Sequence, residues 1–265
     1  MAEPLKIHYG KDAVSVYRTD AEGNLFAAEI ELVIQGDVFL PSYTEGDNSM
    51  VVATDSMKNF IHSCGCDFSG SSLEDFIAYV GRCFLERYGH VEAVRLAGRG
   101  LTFERRGDAL YQQTYADRGV AWLELGRNGV VDHRSGRVGL HLVKLTGSSF
   151  TGFVRDEFTT LPEAADRPLF VHLDVHWRHA DFEKRASSEQ VRDLLVATFD
   201  DFVSESIQHL VHEMGIRALD RFGEIELIEF DGQNRLWDSA QSHDGVVVYT
   251  DARPPYGVIH LTLAR

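Results

Sequence analysis

The sequence is poor in the features that hold together small secreted proteins or span membranes. Three cysteines, Cys64, Cys66 and Cys83, form no even-numbered framework, and the C-G-C spacing of the first pair is too tight for the usual zinc knuckle. No apolar run approaches a bilayer span, and the N-terminus lacks a charged segment followed by an apolar one. The C-terminal Leu263-Ala264-Arg265 is not a peroxisomal address. These absences leave a reducing cytoplasm as the expected compartment, with no membrane partner. Positive charge is scarce as well: 26 Lys and Arg stand against 41 Asp and Glu, a formal net charge of -15. Such a chain repels nucleic acid and anionic lipid, so a small anionic ligand would need basic groups concentrated at one place.

What is present suits a soluble globular protein. Of 265 residues, 44% are hydrophobic and 25% charged, enough for one large core or two ordinary ones. No linker rich in Pro, Gly or Ser divides the chain, yet an order of elements repeats. Ala13 to Arg18 and Leu25 to Gln35 read as strands around a turn at Glu22-Gly23-Asn24. Met57, Phe60, Ile61 and Cys64 then share one helical stripe, and Leu73, Phe76, Ile77, Val80 and Phe84 share another, with Ser71-x-x-Glu74 as a capping box. Strand-like stretches follow over Val91 to Arg105 and Ala109 to Leu125.

The second half repeats that order. Val138 to Leu145 and Leu169 to Trp177 read as strands, and Ser187-x-x-Gln190 opens a helix carrying Val191, Leu194, Leu195, Phe199 and Phe202. A further helix carries Ile207, Leu210, Val211 and Met214, before strands at Glu224 to Phe230, Val246 to Thr250 and Val258 to Leu263. The expectation is an α+β protein of two ββααββ units with antiparallel sheets, residues 1-132 and 133-265. Helices on one face of each sheet leave the other face to be covered, and a homo-oligomer that closes sheets into a barrel would cover it.

Several tempting motifs carry little. His172, Asp174 and His176 share one strand face, but no fourth ligand accompanies them, and strand histidines usually pack or face solvent. His212-Glu213-Met214-Gly215-Ile216 is not H-E-x-x-H, and Gly98-Arg99-Gly100 lacks the third glycine of a dinucleotide loop. Gly147-Ser148-Ser149-Phe150 lacks the spacing of a nucleophile elbow. No metal site is expected.

Three other segments are more specific. They are Tyr9-Gly10-Lys11-Asp12, the run from Asn48 through Thr54-Asp55 to Asn59, and the run from Leu145 to Arg167. The last contains Thr146-Gly147-Ser148-Ser149-Phe150-Thr151-Gly152-Phe153, Arg155-Asp156-Glu157-Phe158-Thr159-Thr160-Leu161 and Asp166-Arg167. In these segments, in this order, the sequence resembles urate oxidase (uricase), over nearly the whole chain. The resemblance implies two tandem tunnelling-fold units per subunit, a homotetramer with sites at subunit interfaces, and no metal or organic cofactor. It implies a small-molecule purine substrate, urate, oxidised by O2 with water to 5-hydroxyisourate and hydrogen peroxide.

Site residues carry over one at a time. Phe150 corresponds to the family's stacking phenylalanine, and Arg167 to the arginine that grips acceptors in the purine plane. Gln208 corresponds to the glutamine on the opposite purine edge, assisted by the backbone N–H of Ile207. Thr54 and Asp55 match the pair that reaches in from a neighbouring subunit. Lys11 and Thr54 match two members of a lysine–threonine–histidine proton relay, and Asn234 matches the asparagine that holds oxygen or water above the ring. Singly, each has an ordinary reading as a core aromatic, a surface ion pair or a helix-start polar residue.

The third relay position departs from the pattern. Where the family has Asn-x-His, this chain has Asn234-Arg235-Leu236, and leucine neither accepts nor donates a proton. Removing one positioned acid–base group costs on the order of 10²–10⁴ in rate. Three outcomes stay open at this point: a slow urate oxidase, substitution by His243 or His260, or a diverged homologue that oxidises another purine-like heterocycle or only binds one.

Overall fold

The computed structural model describes residues 7–265, in two compact units, the first ending at Ser135 and the second beginning at Gly136. In the first, β1 (His8–Thr19) and β2 (Leu25–Gln35) precede a 3-10 turn, Asp37–Phe39, and a short helix α1 (Leu40–Thr44). Helices α2 (Thr54–Asp67) and α3 (Leu73–Arg87) follow, then β3 (Ala93–Gly100) and β6 (Arg118–Gly126), with a hairpin of β4 (Phe103–Arg105) and β5 (Tyr111–Gln113) between them. The sheet order is β1-β2-β3-β6, antiparallel throughout. Strand β2 buries Ala28, Ile30, Leu32 and Ile34 at alternate positions, the period that a half-covered strand imposes. Over that face lie α2, through Met57 and Ile61, and α3, through Phe76, Ile77, Val80 and Phe84.

Strand β7 (Gly129–Lys144) contains the boundary. The second unit continues through β8 (Leu169–His179), α4 (Ser188–Asp201), α5 (Ile207–Arg221), β9 (Ile225–Asn234) and β12 (Gly257–Ala264). Its sheet order is β7-β8-β9-β12, and a separate hairpin, β10 (Asp238–His243) with β11 (Val246–Thr250), interrupts the last pair. One core joins Leu169, Val171, Leu173, Val175 and Trp177 of β8 to Val191, Leu195 and Phe199 of α4, Leu210, Val211 and Met214 of α5, and Ile228 and Phe230 of β9.

The ββααββ order therefore occurs twice, and the repeat extends to atomic detail, at an offset of 134 residues for the helices, their caps and their glycines and of 138 for the arginines at their C-terminal ends. Helices α2 and α4 start at 54 and 188 and end at 67 and 201; α3 and α5 start at 73 and 207 and end at 87 and 221. Ser72 and Ser206 cap α3 and α5, each hydroxyl accepting a backbone N–H, from Asp75 and from His209, at 3.0 Å. Gly81 and Gly215 let those helices close on the sheet: a Cβ would stand 2.9 Å from Leu96 at the first and 2.5 Å from Leu263 at the second. At the C-terminal ends, the Arg127 guanidinium donates to the carbonyls of Leu85, Tyr88 and Val91, and Arg265 donates to those of Leu219, Phe222 and Ile225. Both place a cation at the negative end of a helix.

The structure moves some sequence-based boundaries. The cap of α3 is Ser72-x-x-Asp75 rather than Ser71-x-x-Glu74, because the shorter Asp75 side chain also accepts the Ser72 hydroxyl at 2.6 Å. The stretches expected as two long strands over Val91 to Arg105 and Ala109 to Leu125 break into four, giving the β4–β5 hairpin. The stretch Val246 to Thr250 belongs to the isolated β10–β11 hairpin, not to the main sheet.

Candidate functional site

The first unit prepares Lys11 and Thr54 by backbone means. At Gly10 a Cβ would lie 2.1 Å from the Leu32 carbonyl oxygen, so only glycine permits the approach of β1 to β2 there. Lys11 pairs with Leu32, and directly after it the register slips in a bulge. Ala13 adopts φ 55 in that bulge, and its N–H donates to the Asp12 carboxylate at 2.6 Å. Bulges re-aim side chains, and this one follows the lysine immediately. Two residues before Lys11, the Tyr9 hydroxyl accepts the N–H of buried Val52 at 2.8 Å, tying β1 to the segment that enters α2. Burial raises the Tyr9 pKa, so the phenol stays neutral.

Thr54 is the first residue of α2 and Asp55 the second. The Asp55 carboxylate accepts from Lys58 at 2.6 Å and from Asn59 at 3.0 Å. Lys58 is the main cause of its lowered pKa, with the charge of Lys11 adding to it. The spacing Asp55, Lys58, Asn59 is thus an i, i+3, i+4 network at the positive end of a helix.

In the second unit three segments are zipped together. The Ser204 N–H donates to the Gly147 carbonyl at 3.1 Å, and the Ser149 N–H donates to the Ser204 carbonyl at 2.8 Å. The Arg167 N–H donates to the Ser148 carbonyl at 2.9 Å, and Phe150 and Ala164 exchange a pair of bonds at 2.8 and 3.0 Å. The loop carrying Phe150, the strand-like run carrying Arg167 and the entry to α5 carrying Ile207 and Gln208 are therefore held as one surface. Asp166 pins the turn, accepting from the Thr146 hydroxyl and from the N–H groups of Gly147 at 2.8 Å and Ser148 at 3.3 Å. Those bonds, the Thr146 hydroxyl foremost, hold its carboxyl below the usual range. Lys144, under the same loop, donates to the Phe202 carbonyl at 2.6 Å, and burial lowers its pKa.

On this surface the Arg167 guanidinium lies 5.3 Å from the Phe150 ring centre. Among the described residues its buried Nε has no hydrogen-bond partner, and burial lowers its pKa. A buried donor left unpaired costs about 1–3 kcal/mol, so an acceptor brought to Nε would recover that penalty. Ile207 and Gln208 open α5, where the first N–H groups have no intrahelical partner and the helix dipole favours an anion; the Gln208 side chain is exposed.

Asn234 ends β9, paired with Val171 on one side and Gly257 on the other, and its buried Oδ1 likewise has no partner among the described residues. Two residues on, Leu236 is half-buried against the apolar core of the unit, and its side chain carries no group that can give or take a proton. His260 pairs with Asp231 at 2.8 Å, and strand alternation puts both on the face opposite Asn234. His243 is exposed on β10, 3.1 Å from Asp244. His260 therefore does not share the face of Asn234, and His243 belongs to the separate β10–β11 hairpin. His172 is stacked on His141 with ring centres 3.6 Å apart, and Asp174 accepts the Gly139 N–H at 2.7 Å. Among the described residues no group of three or more His, Cys, Asp or Glu is arranged to hold a metal.

The second unit therefore offers an aromatic face, an unpaired cationic donor, an unpaired amide oxygen, an exposed amide and a helix N-terminus. Those groups suit a flat, anionic, hydrogen-bonding molecule. Asp166 and Ser204, which both bond to the turn at residues 146–149, carried no pattern that the sequence exposes; only the adjacency of Asp166 to Arg167 and the turn chemistry at Gly147 hinted at them.

Comparison with known proteins adds independent findings. A family model described as Uricase matches residues 7–107 and 133–260. The chain is 36% identical to a uricase of Haloferax volcanii, covering 89% of this chain and 90% of that protein. It is 35% identical to the uric acid degradation bifunctional protein of Bacillus sp. TB-90, over 98% of this chain and 60% of that protein. The chain thus spans about 60% of the length of the bifunctional relatives it matches. A crystal structure of urate oxidase from Bacillus sp. TB-90 superimposes with a TM-score of 0.90 at 34% identity, covering 98% of this chain and 100% of that one.

Proposed function

The chain belongs to the uricase family, and on that premise we propose that it oxidises urate with O2 and water to 5-hydroxyisourate and hydrogen peroxide, without a metal or organic cofactor. The observation that carries the reading is the approach of the Arg167 guanidinium to Phe150, its buried Nε without a hydrogen-bond partner among the described residues, on a surface shared with the start of α5. Urate is a planar purine anion. It would stack on Phe150, accept from Arg167, and meet Gln208 and the Ile207 N–H on its other edge.

Urate supplies its own electrons once deprotonated, so the protein's tasks are charge stabilisation, proton removal and exclusion of water. Arg167 and the α5 N-terminus supply the first. Lys11 and Thr54 would move the proton, and the Asn234 amide would hold O2 or water above the ring. In the proposed assembly, a homotetramer of tunnelling-fold subunits, Lys11, Thr54 and Asp55 face the purine clamp of a neighbouring copy. The bulge after Lys11 and the Tyr9–Val52 tether support a fixed geometry for that pair. A cytoplasmic setting belongs to the same proposal and accords with three free thiols.

Leu236 favours a slow version of this chemistry over one with a full relay, because its side chain is spent on core packing. The test is urate turnover by the purified protein in air and under nitrogen, with no added metal or flavin. Loss of urate ultraviolet absorbance with one peroxide per urate, in air alone, supports the proposal. A flat trace alongside turnover of a different heterocycle would favour the diverged homologue, and tight purine binding with no peroxide would favour a binding protein.

A further inference from the structure

The segment from Phe150 to Leu161 does more than present one phenylalanine. The Phe153 ring lies parallel to the Phe150 ring, with centres 4.8 Å apart and planes 14° apart. Gly152 makes the reversal possible: it sits at φ +72 in the left-handed region, and its N–H donates to the Glu163 carboxylate at 3.0 Å. Behind Phe153, the Arg155 guanidinium lies 5.6 Å from the ring centre and donates to the Leu161 carbonyl at 3.3 Å. That carbonyl is delivered by a turn closed by Asp156 and Thr159. The Thr159 hydroxyl donates to the Asp156 carboxylate at 2.9 Å, and the Asp156 N–H donates back to that hydroxyl at 3.0 Å. A line of contacts thus runs from the Asp156–Thr159 turn through Arg155 and Phe153 to Phe150, and Arg167 lies against Phe150 in turn.

A phenyl ring has two faces, and a parallel neighbour at this separation covers one of them. We infer that Phe153 is a positioning residue for the purine site: it backs Phe150 and leaves a single face on which a planar heterocycle can stack. The inference rests on the reading of this surface as a purine site. Backing removes the rotational freedom that Phe150 would otherwise lose on binding, so the ordering cost is met in the free protein. Arg155 adds a positive charge next to the Phe153 ring, 5.6 Å from its centre, which favours an anionic ligand stacked on the phenyl pair. The role is exerted through Phe150 and not through the reacting atoms, so it belongs to binding and not to the chemical step.

The experiment compares wild type, Phe153→Leu, Phe153→Tyr and Arg155→Gln for urate KM and kcat and for binding of 8-azaxanthine, a purine analogue that is not oxidised. Phe153→Leu is expected to raise both KM and the analogue dissociation constant about 3- to 10-fold, the range of one aromatic stack, with kcat moving far less. Phe153→Tyr, which keeps a ring in place, is expected to restore both, and Arg155→Gln to raise both by a smaller factor. Should Phe153→Leu fail to fold by circular dichroism, Arg155→Gln carries the test alone, since its side chain is exposed. Unchanged analogue binding in the variant that is read, a fall in kcat at constant KM, or no rescue by tyrosine overturns the inference while wild-type turnover keeps the functional reading. A wild type that neither oxidises urate nor binds the analogue overturns both.

Discussion

The Tyr9 hydroxyl accepts the N–H of Val52 at 2.8 Å, joining the strand two residues before Lys11 to the chain two residues before Thr54. Replacing Tyr9 by Phe leaves the N–H of buried Val52 unpaired, a loss of about 1–3 kcal/mol that urea denaturation would register. Because the proposed purine clamp draws on residues of the other unit, kcat is expected to fall while urate KM stays near its original value. An equal rise in KM would mean that the tether serves binding instead.

Asp166 holds the turn that presents Phe150, through three donors from residues 146 to 148. Asp166→Asn places amide hydrogens against those donors, and urate KM is expected to rise several-fold with little change in kcat. The same bonds depress the Asp166 pKa, so its contribution is fully present above the unfolded value of about 3.9 and is lost as pH falls through the lower folded value. Analogue binding by wild type should therefore weaken from this source only in acid, and titrating binding from pH 7 to pH 3 checks the sign.

Arg167 offers a planar fork that lysine cannot copy. Arg167→Lys keeps the charge but loses in-plane donors, so kcat/KM is expected to drop about 10- to 100-fold, the scale of one charge-assisted hydrogen bond. Steady-state kinetics on urate measure this directly, and an unimpaired lysine variant would remove Arg167 from the site.

Leu236→His restores a titratable group two residues after Asn234. A gain of about 10²-fold in kcat is expected if the position is the missing relay member. Stability should fall, since Leu236 contacts the apolar core and an imidazole there needs a partner. A destabilised variant without a gain in rate would show that the relay runs by another route.

The fold was legible where periodicity was strong. Met57, Ile61 and Cys64 of α2, and Phe76, Ile77, Val80 and Phe84 of α3, are buried as their spacing requires. Strand β10 was not legible, because Asp238-Ser239-Ala240-Gln241-Ser242-His243 is exposed at every position and shows no apolar alternation. The start of β1 was hidden too: Tyr9-Gly10-Lys11-Asp12 has the composition of a turn, and its strand character comes from pairing with Leu32 and Val33. At the site, it was the family resemblance, not residue type, that singled out Phe150, Arg167 and Gln208, and what ties the Phe150 loop to the Arg167 run and to the approach to α5 is backbone pairing through Ser148 and Ser204, which side-chain patterns do not encode. The helix caps show the same limit at finer grain, since Ser71 and Ser72 are equivalent as residue types and differ only in backbone geometry.

The central claim is that Lys11 and Thr54 of one copy complete the Phe150–Arg167 clamp of another. Subunits carrying Thr54→Ala and subunits carrying Arg167→Gln, each inactive alone, can be co-expressed and purified as mixed oligomers. A shared site predicts recovery of about one quarter of wild-type activity per subunit, the fraction of sites drawing both intact halves by chance in a symmetric assembly. Mixed oligomers as inactive as either parent would contradict it.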